Sequence, residues 1–121
     1  MTKRDFALDT IKEIVKKYGC DVINDRKDIY RSRTLLCPNV PLSDDEDNDL
    51  VISKIIISEF HNGLHQMACE VSDLRWRAFS ACDDNYIINI AYRLCKFYNL
   101  TDKLLELCDF CGYGFLVTDD D

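Results

Sequence analysis

The sequence has no G-x-S-x-G elbow, no glycine loop that could cradle a phosphate, and only two histidines. Nucleophilic and nucleotide chemistry thus find no framework here, and the reading is of a protein that is not an enzyme. Its four glycines, Gly19, Gly63, Gly112 and Gly114, read as helix stops or turns. No apolar signal core follows Met1-Thr2-Lys3-Arg4-Asp5, and no run approaches the ~18 apolar residues of a spanning helix. A soluble, intracellular protein is expected. Positive charge is also short. A net charge of −7 argues against binding nucleic acid or an anionic membrane by bulk electrostatics, and favours a partner with basic flanks.

What is present fits one folded domain. At 121 residues the chain can bury roughly 65% of its unfolded surface. Its 47% hydrophobic and 31% charged residues argue against global disorder. Seven cysteines, an odd number without a secretion signal, read as reduced thiols that mostly fill the core.

The clearest periodicity is near the start. Ala7, Ile11, Ile14, Val15 and Tyr18 recur at helical spacing, with Thr2 or Asp5 as cap and Gly19 as stop. Asn24 to Leu36 is a charged candidate helix with Ile29, Tyr30, Leu35 and Leu36 on its apolar side. Residues 37–49 form a loop broken by Pro38 and Pro41, its acidic stretch Ser43 to Asp49 solvated. Leu50 to His61 is an over-hydrophobic helix ending at Asn62-Gly63. A strand is the rival there because Ile55-Ile56-Ile57 is β-branched, but Glu59, the acidic cap and the lack of a partner strand decide for helix. Helices over Leu64 to Ala81 and Asp84 to Tyr98 follow, the latter with Ile87, Ile90, Ala91, Leu94 and Phe97 as its stripe. A short one is capped by Thr101. Gly112-Tyr113-Gly114 then turns the chain, so that Phe115, Leu116 and Val117 fold back.

Three local constellations could carry function. His61, His65 and Cys69 are spaced four apart, and Cys108-Asp109-Phe110-Cys111 adds a CxxC pair, so His65, Cys69, Cys108 and Cys111 are a zinc alternative. Asn62-Gly63 interrupts the first set, and no metal or other cofactor is expected. Thiol redox chemistry at Cys108 and Cys111 is disfavoured by Asp109 and by a helix C-terminal position. Finally, Arg75, Trp76 and Arg77 are an interface candidate, since Trp and Arg are enriched in binding hot spots.

Three segments resemble the Bcl-two family of apoptosis regulators, in particular its short, divergent viral members. Asp5-Phe6-Ala7-Leu8-Asp9-Thr10-Ile11 through Lys17-Tyr18-Gly19 is similar to the family's first helix. Ser53 to Leu64 resembles the fourth helix and the opening of its first homology motif, although Leu64-His65-Gln66-Met67-Ala68 replaces the motif's Trp-Gly-Arg. Leu107 to Phe115 resembles the second motif. The resemblance implies an all-α fold: a compact Bcl-two-like helical bundle over residues 1–117 with a central hydrophobic helix, a surface groove and an acidic tail at 118–121. It implies a cytoplasmic apoptosis inhibitor in a virus-infected host cell, reaching mitochondria through its partner. That partner would be a proapoptotic BH-three helix, held in a groove of Tyr30, Leu35, Ile56, Phe60, Leu64, Met67 and Val71. The alternative is a homodimeric decoy of another signalling protein without BH-three binding.

Overall fold

The structure, a computed structural model, describes residues 1–22, 30–72 and 75–112. It corrects the all-α expectation. A six-stranded antiparallel sheet carries α-helices on one face, two in contact with strands and a third packed against those two. The chain runs α1 (Lys3–Tyr18), β1 (Cys20–Asp21), β2 (Tyr30–Leu36), β3 (Val40–Pro41), β4 (Val51–Phe60), β5 (His65–Val71) and β6 (Arg77–Ala78). A 3-10 turn (Phe79–Ala81), α2 (Asp84–Phe97) and α3 (Thr101–Cys111) complete it. The strand order is β1-β2-β4-β5-β6, with β3 also paired to β4. No helix among the described residues is long and apolar enough to cross a membrane.

The opening helix forms as its periodicity requires. Thr2 Oγ1 accepts the Asp5 amide at 3.0 Å, and Ala7, Ile11, Ile14 and Val15 are buried. Gly19 follows with extended backbone (φ −84°), so it is no left-handed stop. A Cβ there would lie 2.5 Å from the Val15 carbonyl oxygen and 2.8 Å from that of Leu35. Glycine is required because helix and sheet backbones meet at this point.

The apolar stretch 51–60 is a strand, not a helix. β-branched side chains fit a pleated surface better than a helix, and two partner strands lie on either side. Thr34 stands opposite Ile57 and Leu36 opposite Ile55 on β2; Met67 pairs with Ile57 and Cys69 with Ile55 on β5. Asn62-Gly63 makes a hairpin loop rather than a helix end. Gly63 takes φ 88°, Phe60 N–H donates to Leu64 O at 2.8 Å, and Asn62 Oδ1 accepts the Leu64 amide at 3.0 Å. The helices expected over 24–36 and 64–81 are likewise replaced by β2, β5, β6 and the 3-10 turn wherever those ranges are described.

The core lies between sheet and helices. Ile52, Ile55 and Ile57 of β4 are fully buried with Ile11, Ile14, Ile87, Ile90 and Leu94 of the helices. Each such side chain contributes about 1.5–3 kcal/mol of burial. Asp83 caps α2 by accepting the Tyr86 amide at 2.8 Å, and the expected stripe is buried except for Phe97, which is half exposed. Thr101 is the first helical residue of α3 rather than its cap; the cap is Leu100.

The loop before β4 is less free than its acidity suggests. Val40 is buried, Asn89 Nδ2 donates to Leu42 O at 3.0 Å, and the buried Arg93 meets Asp44 at 2.6 Å. Arg4 joins the first helix to the far part of the chain, donating to Phe79 O at 2.6 Å and Cys82 O at 2.8 Å. The turn expected at 112–114, the fold-back of 115–117, the acidic tail and residues 24–29 lie outside the described residues, apart from Gly112 itself, which ends α3 at φ 79°.

Candidate interaction face

A strand sends successive side chains to opposite faces, and this alternation builds the site. Ile55 and Ile57 point to the helices, so Ile56 between them points away. Register extends it into a row across four strands: Leu35 on β2, Ile56 on β4, Ala68 on β5 and Ala78 on β6. One flank of the row is Lys54 with Glu70, an ion pair at 3.6 Å. On the other flank Arg33, Ser58 and Gln66 stand in register, and beyond them Tyr30 faces Phe60 with ring centroids 5.0 Å apart.

This outer face bounds a cavity of about 560 Å³. Ile56, Ala68 and Ala78 form its apolar base, with Trp76 and Tyr30 beside them and Arg33, Ser58 and Gln66 supplying polar groups. Leu8, Met67 and Phe79 also line it. Trp76 is 47% exposed. Arg33 Nε donates to Ser58 Oγ at 3.3 Å, and its guanidinium lies 4.9 Å from the centroid of the Tyr30 ring.

The groove residues expected from sequence are divided by the strands. Tyr30, Leu35, Ile56 and Phe60 share the outer face. Met67 and Val71 are buried on the inner face as core, and Leu64 sits 65% exposed at the hairpin loop. The Arg75-Trp76-Arg77 set is divided too. Trp76 lines the outer cavity, the Arg77 guanidinium lies 5.5 Å from the centroid of the Tyr86 ring of α2, and Arg75 is exposed. Sequence reasoning missed Arg33, Ser58, Gln66, Ala68 and Ala78. The signal was there: Arg33 and Leu35 alternate with the inward-facing Thr34 and Leu36.

Beside this face, Glu59 binds Lys16 of α1 and Arg31 of β2, the latter at 2.6 Å. The hydrogen bond from Lys16, then that from Arg31, holds its carboxyl at about 2 despite burial, which acts the other way. The zinc alternative does not assemble. His61 and His65 are exposed, Cys69, Cys108 and Cys111 are buried, and no group of three or more potential ligands gathers among the described residues. Burial pushes the Cys69 thiol up to about 12 and the Cys95 thiol to about 11, and raises Cys108 and Cys111 as well. These are packing residues with suppressed reactivity.

No family model, no curated protein and no solved structure matches this chain.

Proposed function

We propose that this chain is a binding protein whose outer sheet face takes an amphipathic helix from a protein partner. The observation that carries the reading is the row Leu35-Ile56-Ala68-Ala78 with Trp76 at its side. The water-facing side of an antiparallel sheet is ordinarily polar, whereas this row is apolar from end to end. On the opposite face α1 and α2 contact the sheet and α3 packs against them, so a helix laid here would give the sheet a second covering layer. Ala68 and Ala78 leave room for side chains to enter, and anchors at i, i+3/4 and i+7 would meet Ile56, Trp76 and the Tyr30-Phe60 pair.

The BH-three helices named by the sequence resemblance belong to this ligand class, and sequestration of a proapoptotic ligand is the specific form of the proposal. The supporting surface is a sheet face in place of the helical groove. Calorimetric titration with a panel of BH-three peptides and unrelated amphipathic helices tests it. Binding at micromolar affinity, weakened about tenfold or more by Trp76→Ala, is expected. Peptides that bind wild type and Trp76→Ala alike would refute the assignment of this face. A dimer that Trp76→Ala dissolves would give the face to a second copy and support the homodimeric decoy instead.

A further inference from the structure

We propose that the seam between α1 and α3 docks a basic segment of a protein partner, with the stacked rings of Phe6 and Phe110 as its apolar seat. The seam lies on the helical side of the molecule and does not depend on the role of the outer sheet face. The two rings are nearly parallel with centroids 4.6 Å apart, and Phe110 is 42% exposed, although phenylalanine is ordinarily among the most buried residues. Cys111 Sγ donates to Lys3 O at one end of the seam and Lys103 binds Glu13 at the other, so the two helices run antiparallel. Residues three or four apart are neighbours on a helix surface, which puts Asp9 beside Phe6 and Glu106 beside Phe110. Both carboxylates are exposed, and no cation of the described residues lies within 4.0 Å of either. The cations at the ends do not offset them. Lys103 is taken by Glu13, and Lys3 lies one turn from Phe6 in the direction away from Asp9.

Aromatic faces and unpaired carboxylates attract the same group, a cationic side chain. Adjacent helices leave a groove between them, and this one runs about 15 Å from residue 3 to residue 13. That length suits a short segment with Lys or Arg beside an apolar residue, rather than a lone ion. Residues 113–121 follow Gly112 but carry Asp119, Asp120 and Asp121 and no Lys or Arg, so like charge disfavours them as the occupant. A second copy is disfavoured in the same way, because it would set these carboxylates against each other.

The test is selection of random 16-residue peptides displayed on phage, followed by fluorescence anisotropy with the best synthetic peptide. Targets are wild type, Asp9→Asn/Glu106→Gln, Phe110→Ala, Trp76→Ala and a loop control, Asp45→Asn/Glu46→Gln/Asp47→Asn, each first shown to melt as wild type does. The carboxylate pair, at exposed positions, serves if Phe110→Ala does not fold. Wild type and Trp76→Ala should both enrich peptides with Lys or Arg beside an apolar residue. Asp9→Asn/Glu106→Gln and Phe110→Ala should each weaken the peptide about tenfold, and Trp76→Ala should leave its affinity unchanged. The loop control removes three charges where the seam variant removes two, yet it should change affinity less than about twofold. Equal losses in the two would reduce the attraction to bulk acidity and overturn the proposal. Absence of basic peptides from those that Trp76→Ala retains would overturn it too, as would binding undiminished by Phe110→Ala. Binding that appears only in Phe115→Ser/Leu116→Ser would give the seam to residues 113–121, and a dimer dissolved by Phe110→Ala would give it to a second copy. Either result refutes the basic partner.

Discussion

Arg31 on β2 donates to Glu59 on β4 at 2.6 Å, and the same carboxylate receives Lys16 from α1, so one side chain ties the sheet to the helix above it. With its carboxyl held at about 2 against an ordinary 4.5, Glu59 stabilises the fold fully above 4.5, and that contribution is lost as pH falls toward 2. Both cations are substantially exposed, so screening reduces the contribution to on the order of 1–2 kcal/mol. Urea unfolding at pH 7 and pH 3 should show wild type losing more stability than Glu59→Gln. Parallel losses would show that the triad contributes nothing.

Gly19→Ala should destabilise the protein by about 1–3 kcal/mol, because the added methyl meets two backbone carbonyls that cannot rotate away. The position has extended backbone, so strain from a positive φ plays no part. Thermal unfolding should fall by several degrees. An unchanged melting temperature would mean that α1 and β2 approach less closely than described.

Ile56 and Ile57 are adjacent, yet only Ile57 is fully buried. Ile57→Ala should cost about 2–5 kcal/mol, and Ile56→Ala distinctly less. Ligand affinity should show the reverse order, falling for Ile56→Ala in whatever fraction stays folded. Equal destabilisation by the two changes would contradict the strand alternation on which the outer face is built.

Cys20 and Cys37 are exposed, whereas the other five thiols are buried. At pH 8 a disulfide reagent should therefore modify two thiols quickly and five only as the protein opens. Rapid reaction of Cys69 or Cys95, whose burial holds them at about 12 and 11, would count against the packed inner layer.

The first and last parts of the described chain were legible because each helix buries one clean stripe there. Ala7 to Val15 and Ile87 to Leu94 carry it at a period that nothing interrupts. The middle was misread for a physical reason. Register shifts between Ile52 and Lys54 and between Tyr30 and Ser32 break the period-two pattern that marks a strand. In addition, Ile55, Ile56 and Ile57 are all apolar although Ile56 faces away from the other two, so the stretch shows no alternation. Asn-Gly is a helix stop and also a hairpin loop, and only its flanking β-branched residues separate the two. Of the candidate surface, the aromatic and aliphatic members were found under a helical rationale. Their grouping, and Arg33 with them, required the strand register.

Arg4 reaches across some eighty residues to hold the carbonyls of Phe79 and Cys82. Neighbouring strands make the sheet from local pairings, but the layer that covers its inner face comes from opposite ends of the described chain. Ribosomal synthesis therefore completes β4 and β5 before α2 exists to join α1 in closing the core. Until then the nascent sheet has α1 alone against its inner side, and its outer side awaits the partner proposed above. Folding should be slow for a chain of this size and limited by the docking of α2 against α1. A chaperone that holds apolar strands would find its widest opportunity in that interval.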